Sequence, residues 1–513
     1  MSQNCWGMRG IIREPNLLRK SYKYIPSTVQ LSKISEKSVH MNYLEYFKEI
    51  CKIPHGSGNT DRISEYLYNF AVENGCRARR DAHNNLHIIK EAHPEYADCP
   101  GVILQGHMDM VAVKEPGCSK DLKSEGLDLY EEDGFLKAKG TSLGGDDGIA
   151  VAYIMDILTG VYKAPKIEAI ITDGEEIGMV GATAFDASEV TSNRMINIDQ
   201  EEEGIFVVSC AGGIHAGIKI PTSKSVESGT RFRIEVKGLK GGHSGIEIHK
   251  KRGNAIKLLA DELCKLREHI DFKLIEINGG EADNAIPSNC YADIMLTSGT
   301  NPILFNEVKK LSGEEFYFGT EDDPDQAFIS VSTLEDQDYI VFDDESTLRV
   351  LNILREMKDG VIAMDENDPS FVQTSLNVGI VRTNEEDVET DILIRSSIDA
   401  EKNAVMFELC KLAKKYDALT EIDGDYPGWA YRSDSPLREM MVKAYESGYL
   451  CKPKCESIHA GLECGIFASK IEGLDCVSIG PTIEKIHTTE ERLNLESADR
   501  CFKFLIHVLE DLK

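Results

Sequence analysis

The chain has 513 residues, which is too long for one hydrophobic core and predicts at least two domains. Hydrophobic residues make up 42% and charged residues 28% of the sequence, as is typical of a folded soluble protein. The formal net charge of -30 comes without a basic cluster, which excludes nucleic acid and anionic membrane surfaces as expected partners. No apolar run approaches the roughly 18 residues of a membrane-spanning helix.

Residues 1–40 differ in character from the rest of the chain. They carry basic residues without the apolar segment of a secretory signal, so we expect a poorly ordered extension. The alternative is a basic targeting segment. The 14 cysteines are scattered and form no CxxC pair, which favours reduced thiols and a cytoplasmic location.

Strands and helices alternate from Met41 to about residue 212. Apolar residues at helical spacing predict helices at 43–51, 62–75 and 149–158. Short runs rich in β-branched residues predict buried strands at 101–106, 166–172 and 195–198. This alternation indicates an α/β layer with a mostly parallel sheet.

The pattern changes after Gly212. Strands are predicted at 231–238, 272–279 and 291–297 around a helix at 254–269, and a similar order recurs between 347 and 415. Two tandem β-α-β-β-α-β units of ferredoxin-like type fit this span, while the acidic stretch 313–326 is predicted to be a surface loop. We therefore expect a catalytic domain from 41–212 and 426–513, with 213–425 inserted as an α+β lid.

Five motifs with acidic residues or histidine follow predicted strands. They are LQGHMDMV (104–111), SLGGDDGIA (142–150), IITDGEEIG (170–178), MINIDQE (195–201) and SIGPTIEKIH (478–487). Ligand sites in parallel sheets lie beyond the carboxyl ends of the strands, where these side chains fall. Singly, each motif also fits a solvated acidic turn or a surface histidine.

Together the motifs supply the groups of a paired metal centre. His107 and Asp199 can bind one metal, Glu176 and His487 the other, and Asp146 can bridge them. Glu175 is then free to act on water as a general base. The mixed nitrogen and oxygen donors suit two zinc ions, with cobalt or manganese as alternatives.

These motifs resemble the co-catalytic zinc aminopeptidase/carboxypeptidase superfamily, which includes carboxypeptidase G2 and the carnosinases. The resemblance is greatest to the aminoacyl-histidine (Xaa-His) dipeptidases and extends from Met41 to the C-terminus. It also rests on motifs outside the metal set: KGLKGGHSGIEIH (237–249), NAIP (284–287), TSLNVG (374–379), YPGW (426–429) and HAGLECG (459–465).

The resemblance implies a di-zinc peptidase that hydrolyses unblocked dipeptides, specifically those of Xaa-His type. It assigns the ligands as counted above and favours Asp146 over Asp147 as the bridge. Asp109 would orient His107, and Glu175 would be the base. The substrate would meet three residues of the lid: His243, Asn284 and Arg395.

Several alternatives stay open from the sequence. Arg395 could instead form a structural ion pair, and His459 could serve packing or contact substrate. A related di-metal hydrolase could act on N-acyl amino acids or longer peptides, and a binding protein that has lost catalysis would lack a ligand or the base. The resemblance also implies that a homodimer can form through the inserted domain, although no residue pattern in the sequence points to one.

Overall fold

The computed structural model describes residues 41–297, 302–365, 371–449 and 451–513. The predicted extension at 1–40 lies outside the described residues. Within the described ranges the chain forms 11 α-helices and 24 β-strands, numbered here in chain order.

The first part of the chain alternates helices and strands as predicted. Its elements are α1 (Tyr43–Ile50), α2 (Asp61–Glu73), β1 (Arg77–Arg80), β2 (Leu86–Lys90), β3 (Val102–His107), β4 (Leu129–Glu132), β5 (Phe135–Ala138), α3 (Gly145–Thr159), β6 (Ile167–Thr172), α4 (Val180–Ala184), β7 (Arg194–Asn197) and β8 (Ile205–Cys210).

The middle part is richer in long strands. Its elements are β9 (Gly212–Pro221), β10 (Lys224–Lys237), β11 (Gly242–His243), α5 (Ala255–Arg267), β12 (Lys273–Gly279), β13 (Ala285–Ile286), β14 (Cys290–Thr297), α6 (Pro302–Lys310), β15 (Glu315–Gly319), β16 (Pro324–Phe342), α7 (Asp344–Glu356), β17 (Gly360–Met364), β18 (Val372–Thr383), β19 (Asp387–Ser396), α8 (Asp399–Lys415) and β20 (Leu419–Tyr426).

The last part returns to the alternating pattern. Its elements are α9 (Pro436–Tyr449), β21 (Lys454–Ile458), α10 (Glu463–Lys470), β22 (Asp475–Ser478), β23 (Ile483–Glu484), β24 (Arg492–Asn494) and α11 (Leu495–Asp511).

An eight-stranded sheet joins the first and last parts of the chain, in the order β1-β2-β6-β3-β7-β22-β8-β21. The four central strands β6, β3, β7 and β22 are parallel, as predicted, whereas β2 pairs antiparallel with β6 and β1 pairs antiparallel with β2. Because the central strands are parallel, their carboxyl ends lie along one edge of the sheet. Four of the five motifs follow these ends.

A ten-stranded antiparallel sheet is built entirely from the middle part, with β17 paired beside β18. The order β16-β10-β14-β12 and the order β18-β19-β9-β20 are both those of a ferredoxin-like unit. The two predicted units are therefore present. They are nested along the chain rather than consecutive, because β9 precedes the whole first unit and α7, β18, β19, α8 and β20 follow it.

One local prediction is wrong. The acidic stretch 313–326 was expected to be a surface loop, but β15 and the start of β16 pair there as an antiparallel hairpin. The alternation of apolar and polar residues is weak in this stretch because charged residues occupy the exposed positions and the turn. Only further along β16 do apolar residues, Ala327 and Ile329, lie buried.

Packing of α1 and α11 on α3 places the Asp146 segment. Asn42 and Glu45 form a capping box that starts α1, and Phe47 of that helix is fully buried. A Cβ on Gly148 would lie 3.1 Å from the Phe47 ring, so the glycine permits this close approach. On the other side, the Tyr153 hydroxyl donates to the Ala498 carbonyl at 2.6 Å.

Within the described residues, no helix combines the length and apolar character needed to cross a membrane. The 13 cysteines in this part of the chain are free thiols, eight of them buried.

Candidate metal centre

The parallel strands bring the predicted ligands to one edge of the eight-stranded sheet. His107 is the last residue of β3, Asp199 follows β7 by two residues, and Glu175 and Glu176 follow β6. His487 lies after β23, in the turn that leads to β24. Residues separated by up to 380 positions in the sequence, from 107 to 487, thus share one site.

The first group of donors consists of His107, Asp146 and Asp199. His107 Nε2 lies 3.2 Å from Asp146 Oδ1 and 3.6 Å from Asp199 Oδ1. The other ring nitrogen, Nδ1, donates to the Asp109 carbonyl at 2.9 Å. That bond fixes the ring so that Nε2 points at the two carboxylates, as a metal ligand requires.

The second group consists of Asp146, Glu176 and His487. His487 Nε2 lies 3.1 Å from Asp146 Oδ2 and 2.9 Å from Glu176 Oε1. His487 has a φ of 60° in a tight turn, which directs its ring toward the strand ends. Asp146 therefore faces one histidine with each carboxylate oxygen, which is the arrangement of a bridging ligand.

The two adjacent aspartates have different surroundings. Asp146 Oδ1 and Oδ2 face the two histidines, whereas Asp147 is 1% exposed and its Oδ2 accepts the His107 backbone N–H at 3.2 Å. Burial raises the pKa of Asp147 well above its usual value, and the negative charge of Asp199 adds to this effect. This geometry favours Asp146 as the bridge and gives Asp147 a supporting position behind His107.

Asp109 connects His107 to the predicted base. Its Oδ1 lies 3.4 Å from His107 Nδ1 and accepts the backbone N–H of Glu175 at 3.1 Å, while Oδ2 accepts from the Ser57 hydroxyl at 2.8 Å. Burial raises the pKa of Glu175 well above its usual value; Asp199, Glu463 and Glu176 add to the shift, and His107 opposes it.

Negative charge is concentrated around both imidazoles. Burial raises the pKa of Asp199 to about 6, helped by the carboxylates of Asp146 and Glu176 and opposed by His107. Hydrogen bonds to Asp146 and Glu176 raise the pKa of His487 to about 10. Carboxylates crowded in this way repel one another unless positive charge lies between them.

The donor set fits divalent cations. In each group the candidate ligand atoms lie within 4.8 Å of one another, and His107, Glu175 and Glu176 form a third such combination. Glu176 Oε1 is buried and lies 2.9 Å from His487 Nε2, so the two atoms are close enough to bind the same ion. Imidazole nitrogen with carboxylate oxygen is a donor combination that zinc accepts readily.

The predicted substrate-binding residues cluster in the ten-stranded sheet and the short β11–β13 ribbon. His243 of β11 pairs with Ala285, next to Asn284, whose carbonyl accepts the Ser244 N–H at 2.8 Å. His243 Nδ1 accepts the backbone N–H groups of Gly245 and Ile246 at 3.0 and 3.2 Å. Because Nδ1 accepts, Nε2 carries the proton of the neutral ring and is a hydrogen-bond donor.

Arg395 occupies a buried position beside this ribbon. It is 5% exposed, its Nη1 donates to the Tyr426 hydroxyl at 3.2 Å, and its Nε has no hydrogen-bond partner among the described residues. Burial lowers the pKa of His243, and the Arg395 charge lowers it further.

His459 has the contacts of a buried structural residue. It is 6% exposed, and its Nε2 and the Ser375 hydroxyl share a hydrogen bond of 2.7 Å. Burial lowers its pKa to about 3, with Arg395 adding to the effect. These contacts favour packing over substrate contact for His459.

Three polar residues of the site were not predicted from the sequence. Ser57 bonds Asp109, Glu463 accepts from Gln105 and Thr172 beneath the strand ends, and Glu491 binds the backbone of the Asp146 segment. Glu463 lies within the HAGLECG motif, which could have drawn attention to it. Ser57 and Glu491 lie in ordinary loop sequences that carry no such signal.

Comparison with known proteins agrees with this geometry. The model of peptidase family M20/M25/M40 matches residues 103–511. The cytosol non-specific dipeptidase of Escherichia coli K12 is 34% identical over 475 residues, which is 91% of this chain and 97% of that protein.

Solved structures give the same result. An aminoacylhistidine dipeptidase from Vibrio alginolyticus superposes with a TM-score of 0.79 at 33% identity, covering 92% of this chain and 96% of that one. A tripeptidase from Staphylococcus aureus shares the fold, with a TM-score of 0.57 at 15% identity over 92% of this chain and 98% of that one. The resemblance stated from the sequence motifs is confirmed: the chain belongs to peptidase family M20/M25/M40.

Proposed function

We propose that the chain is a metal-dependent dipeptidase that hydrolyses unblocked dipeptides, including those of Xaa-His type. The observation that carries the proposal is the Asp146 carboxylate, which faces His107 with one oxygen and His487 with the other. Asp199 and Glu176 complete the two donor groups. Membership of a peptidase family, and high coverage of a relative named as a dipeptidase, support the assignment.

In this proposal the chain holds two zinc ions, with cobalt or manganese as substitutes. When bound, the ions would polarise the scissile carbonyl and make a water molecule more acidic. One ligand pair is His107 with Asp199, and the other is Glu176 with His487. Glu175 belongs to neither pair and would accept a proton from the attacking water. The same carboxyl would then donate a proton to the leaving amine.

Residues of the ten-stranded sheet and of the β11–β13 ribbon would recognise the substrate. His243, with its proton on Nε2, can donate a hydrogen bond to the carbonyl oxygen as negative charge develops there. Arg395 and Asn284 would hold the carboxylate of the dipeptide, for which Arg395 Nε is available because it has no hydrogen-bond partner in the described part of the chain. On this proposal residues 213–425 act as a lid over a catalytic domain formed by 41–212 and 426–513.

Two further properties follow from the same assignment. We place the protein in the cytoplasm, in keeping with the name of its Escherichia coli relative. We also propose that two copies associate through the lid as a homodimer, which size measurement in solution can check.

The test is hydrolysis of a panel of small substrates: carnosine, Gly-His, Leu-Leu, N-acetyl-leucine and a tripeptide. Wild-type protein is stripped with a chelator and then restored with zinc. Glu175→Gln should lower kcat by about 10²- to 10⁴-fold, the usual contribution of a general base, and leave zinc content unchanged. Glu202→Gln, a substitution at an exposed carboxylate nearby, is the matched control and should behave like wild type.

The outcomes separate the candidate activities. Zinc-dependent cleavage confined to the unblocked dipeptides supports the proposal, and comparison of Gly-His with Leu-Leu measures the preference for histidine. Cleavage of N-acetyl-leucine instead would move the chain to the N-acyl amidohydrolases, and cleavage of the tripeptide alone to the longer-peptide enzymes. An unaffected Glu175→Gln variant would contradict the assigned base.

A further inference from the structure

Glu491 is a buried carboxylate beside the metal centre that has no role in the proposed reaction. It is 3% exposed and lies directly before β24. Among the described residues, no lysine or arginine is paired with it; its partners there are four backbone N–H groups of a single segment, residues 143–146. That segment ends in Asp146, the residue that faces both histidines.

Both oxygens of the Glu491 carboxylate accept hydrogen bonds from this segment. Oε2 accepts from Leu143 N at 2.8 Å and Gly144 N at 3.1 Å, and Oε1 accepts from Gly145 N at 2.7 Å and Asp146 N at 3.4 Å. A carboxylate offers about four acceptor positions, so these donors occupy all of them. Glu491 is therefore not a ligand itself and can act only through the segment that it holds.

The segment needs an external anchor. Gly144 has a φ of 67°, Asp146 has non-helical backbone angles, and α3 has no capping side chain of its own. The N–H groups at the start of α3 thus depend on a residue about 345 positions away for their acceptor.

Glu491 also belongs to the turn that carries His487. Within this turn the Thr488 hydroxyl donates to the Lys485 carbonyl at 2.7 Å, and Glu491 N donates to the Thr488 carbonyl at 3.3 Å. β24 then continues from this turn into pairing with β23 and β5. One carboxylate thus ties the segment bearing Asp146 to the turn bearing His487.

We infer that Glu491 is a positioning residue of the metal centre, which sets the separation between the Asp146 carboxylate and the His487 ring by holding the backbone at 143–146. The inference rests on the proposed function, in which those two side chains are ligands. Residues that orient metal ligands from behind typically change metal affinity by about 10- to 100-fold when they are replaced.

The test measures zinc affinity of the full-length apoprotein against a chromophoric chelator, with zinc stoichiometry determined in parallel. In Glu491→Gln an NH2 group replaces one of the two acceptor oxygens and faces backbone N–H donors. We expect zinc affinity of at least one site to fall about 10- to 100-fold. Circular dichroism and the thermal midpoint of the apoprotein check folding.

Glu490→Gln is the matched control, because Glu490 is the preceding residue but its carboxylate is paired with Lys485 in solvent. It should bind zinc like wild type. Asp146→Asn should lose zinc by removing the bridging charge, while Asp147→Asn should retain most of it.

Wild-type zinc binding by Glu491→Gln, alongside loss in Asp146→Asn, would overturn the inference and leave the proposed metal centre intact. Full zinc binding by Asp146→Asn would instead contradict the metal centre. If the Glu491→Gln and Glu491→Asp apoproteins both fail to fold, Glu491 is a general structural residue and the inference is wrong.

Discussion

Glu168 is a buried carboxylate that lies outside the candidate metal centre and has several hydrogen-bond partners. It lies in β6, its side chain has no exposed surface, and it accepts hydrogen bonds from Ser192 and Thr191 at 2.7 Å each. His87 Nε2 at 3.0 Å and Lys166 Nζ at 2.7 Å complete its contacts. Burial alone would raise the pKa of Glu168, but these contacts lower it well below 4.5.

Replacement of Glu168 by glutamine should therefore destabilise the protein by about 3 kcal/mol at pH 7. A depressed pKa means that the stabilisation is fully present above about 4.5 and is lost as the pH falls below that value. The urea midpoints of wild type and Glu168→Gln should be measured from pH 7 to pH 3.5. The gap between the two midpoints should become smaller as the pH falls.

The control for this prediction is Glu131→Gln. Glu131 pairs with Lys48 at 3.1 Å on the surface, where both side chains are largely exposed, so its loss should change stability by about 0–1 kcal/mol. A constant difference between wild type and Glu168→Gln across the whole pH range would contradict the assigned pKa.

At this scale, the sequence was informative about the ligands and about Asp109, but it gave no sign of the other residues that support the ligands. His107, Asp146, Glu176, Asp199 and His487 each follow a strand or a glycine turn, so strand-end chemistry was enough to group them. Glu491 and Ser57 act through hydrogen bonds to groups 52 or more positions away. Such contacts leave no local pattern, because a loop carboxylate or hydroxyl that supports a ligand cannot be told from any other in the sequence.

At the scale of elements, the contact between β3 and α3 sets the position of His107. Gly106 lies where the strand passes closest to the helix: a Cβ there would be 2.5 Å from Asp147 Oδ2 and 2.6 Å from Ala150 Cβ. The strand and helix could not approach this closely with any larger residue at that position.

Gly106→Ala should accordingly destabilise the protein by about 1–3 kcal/mol, the usual cost of overpacking, and weaken zinc binding by displacing Asp147 from the His107 N–H. Thermal unfolding and zinc titration would measure the two effects. Gly448→Ala is the opposite case: Gly448 lies in α9, and apart from its chain neighbours and the adjoining helix backbone no atom of the described residues lies within 4 Å of a Cβ there, so alanine should stabilise the helix by about 0.5–1 kcal/mol. Equal effects of the two substitutions would contradict this account of Gly106.

Element boundaries were predictable where apolar residues repeat regularly. The strands predicted at 101–106, 166–172 and 195–198 correspond to β3, β6 and β7 within one residue at each end. The hairpin of β15 and β16 was missed because its acidic sequence lacks that repeat. Its pairing depends on the neighbouring strand β10, which residues 313–326 cannot reveal.

For the whole molecule, the sequence indicated two ferredoxin-like units but could not give their nested order. That order depends on β9 pairing with β19 and β20, about 170 to 200 residues later in the chain. Strand pairing over such separations is decided by tertiary packing, not by local periodicity.

The proposed reaction draws on both large sheets, and Arg395 tests that requirement. In Arg395→Met the buried guanidinium is lost, so KM for Leu-Leu should rise about 10- to 100-fold, since a hydrogen bond to a charged group contributes about 1.5–3 kcal/mol. Zinc affinity should not change, because the metal donors follow the strands of the other sheet. Arg382→Met, at an exposed arginine of β18, is the control and should leave KM as in wild type.

An amidated dipeptide, Leu-Leu-NH2, identifies the group that Arg395 binds. If the arginine holds the substrate carboxylate, the wild-type enzyme should already bind the amide poorly, and Arg395→Met should cost it little more. An equal loss for Leu-Leu and its amide would show that Arg395 supports the sheet through Tyr426 instead of binding the carboxylate. The double comparison thus distinguishes substrate recognition from the structural ion-pair alternative left open by the sequence.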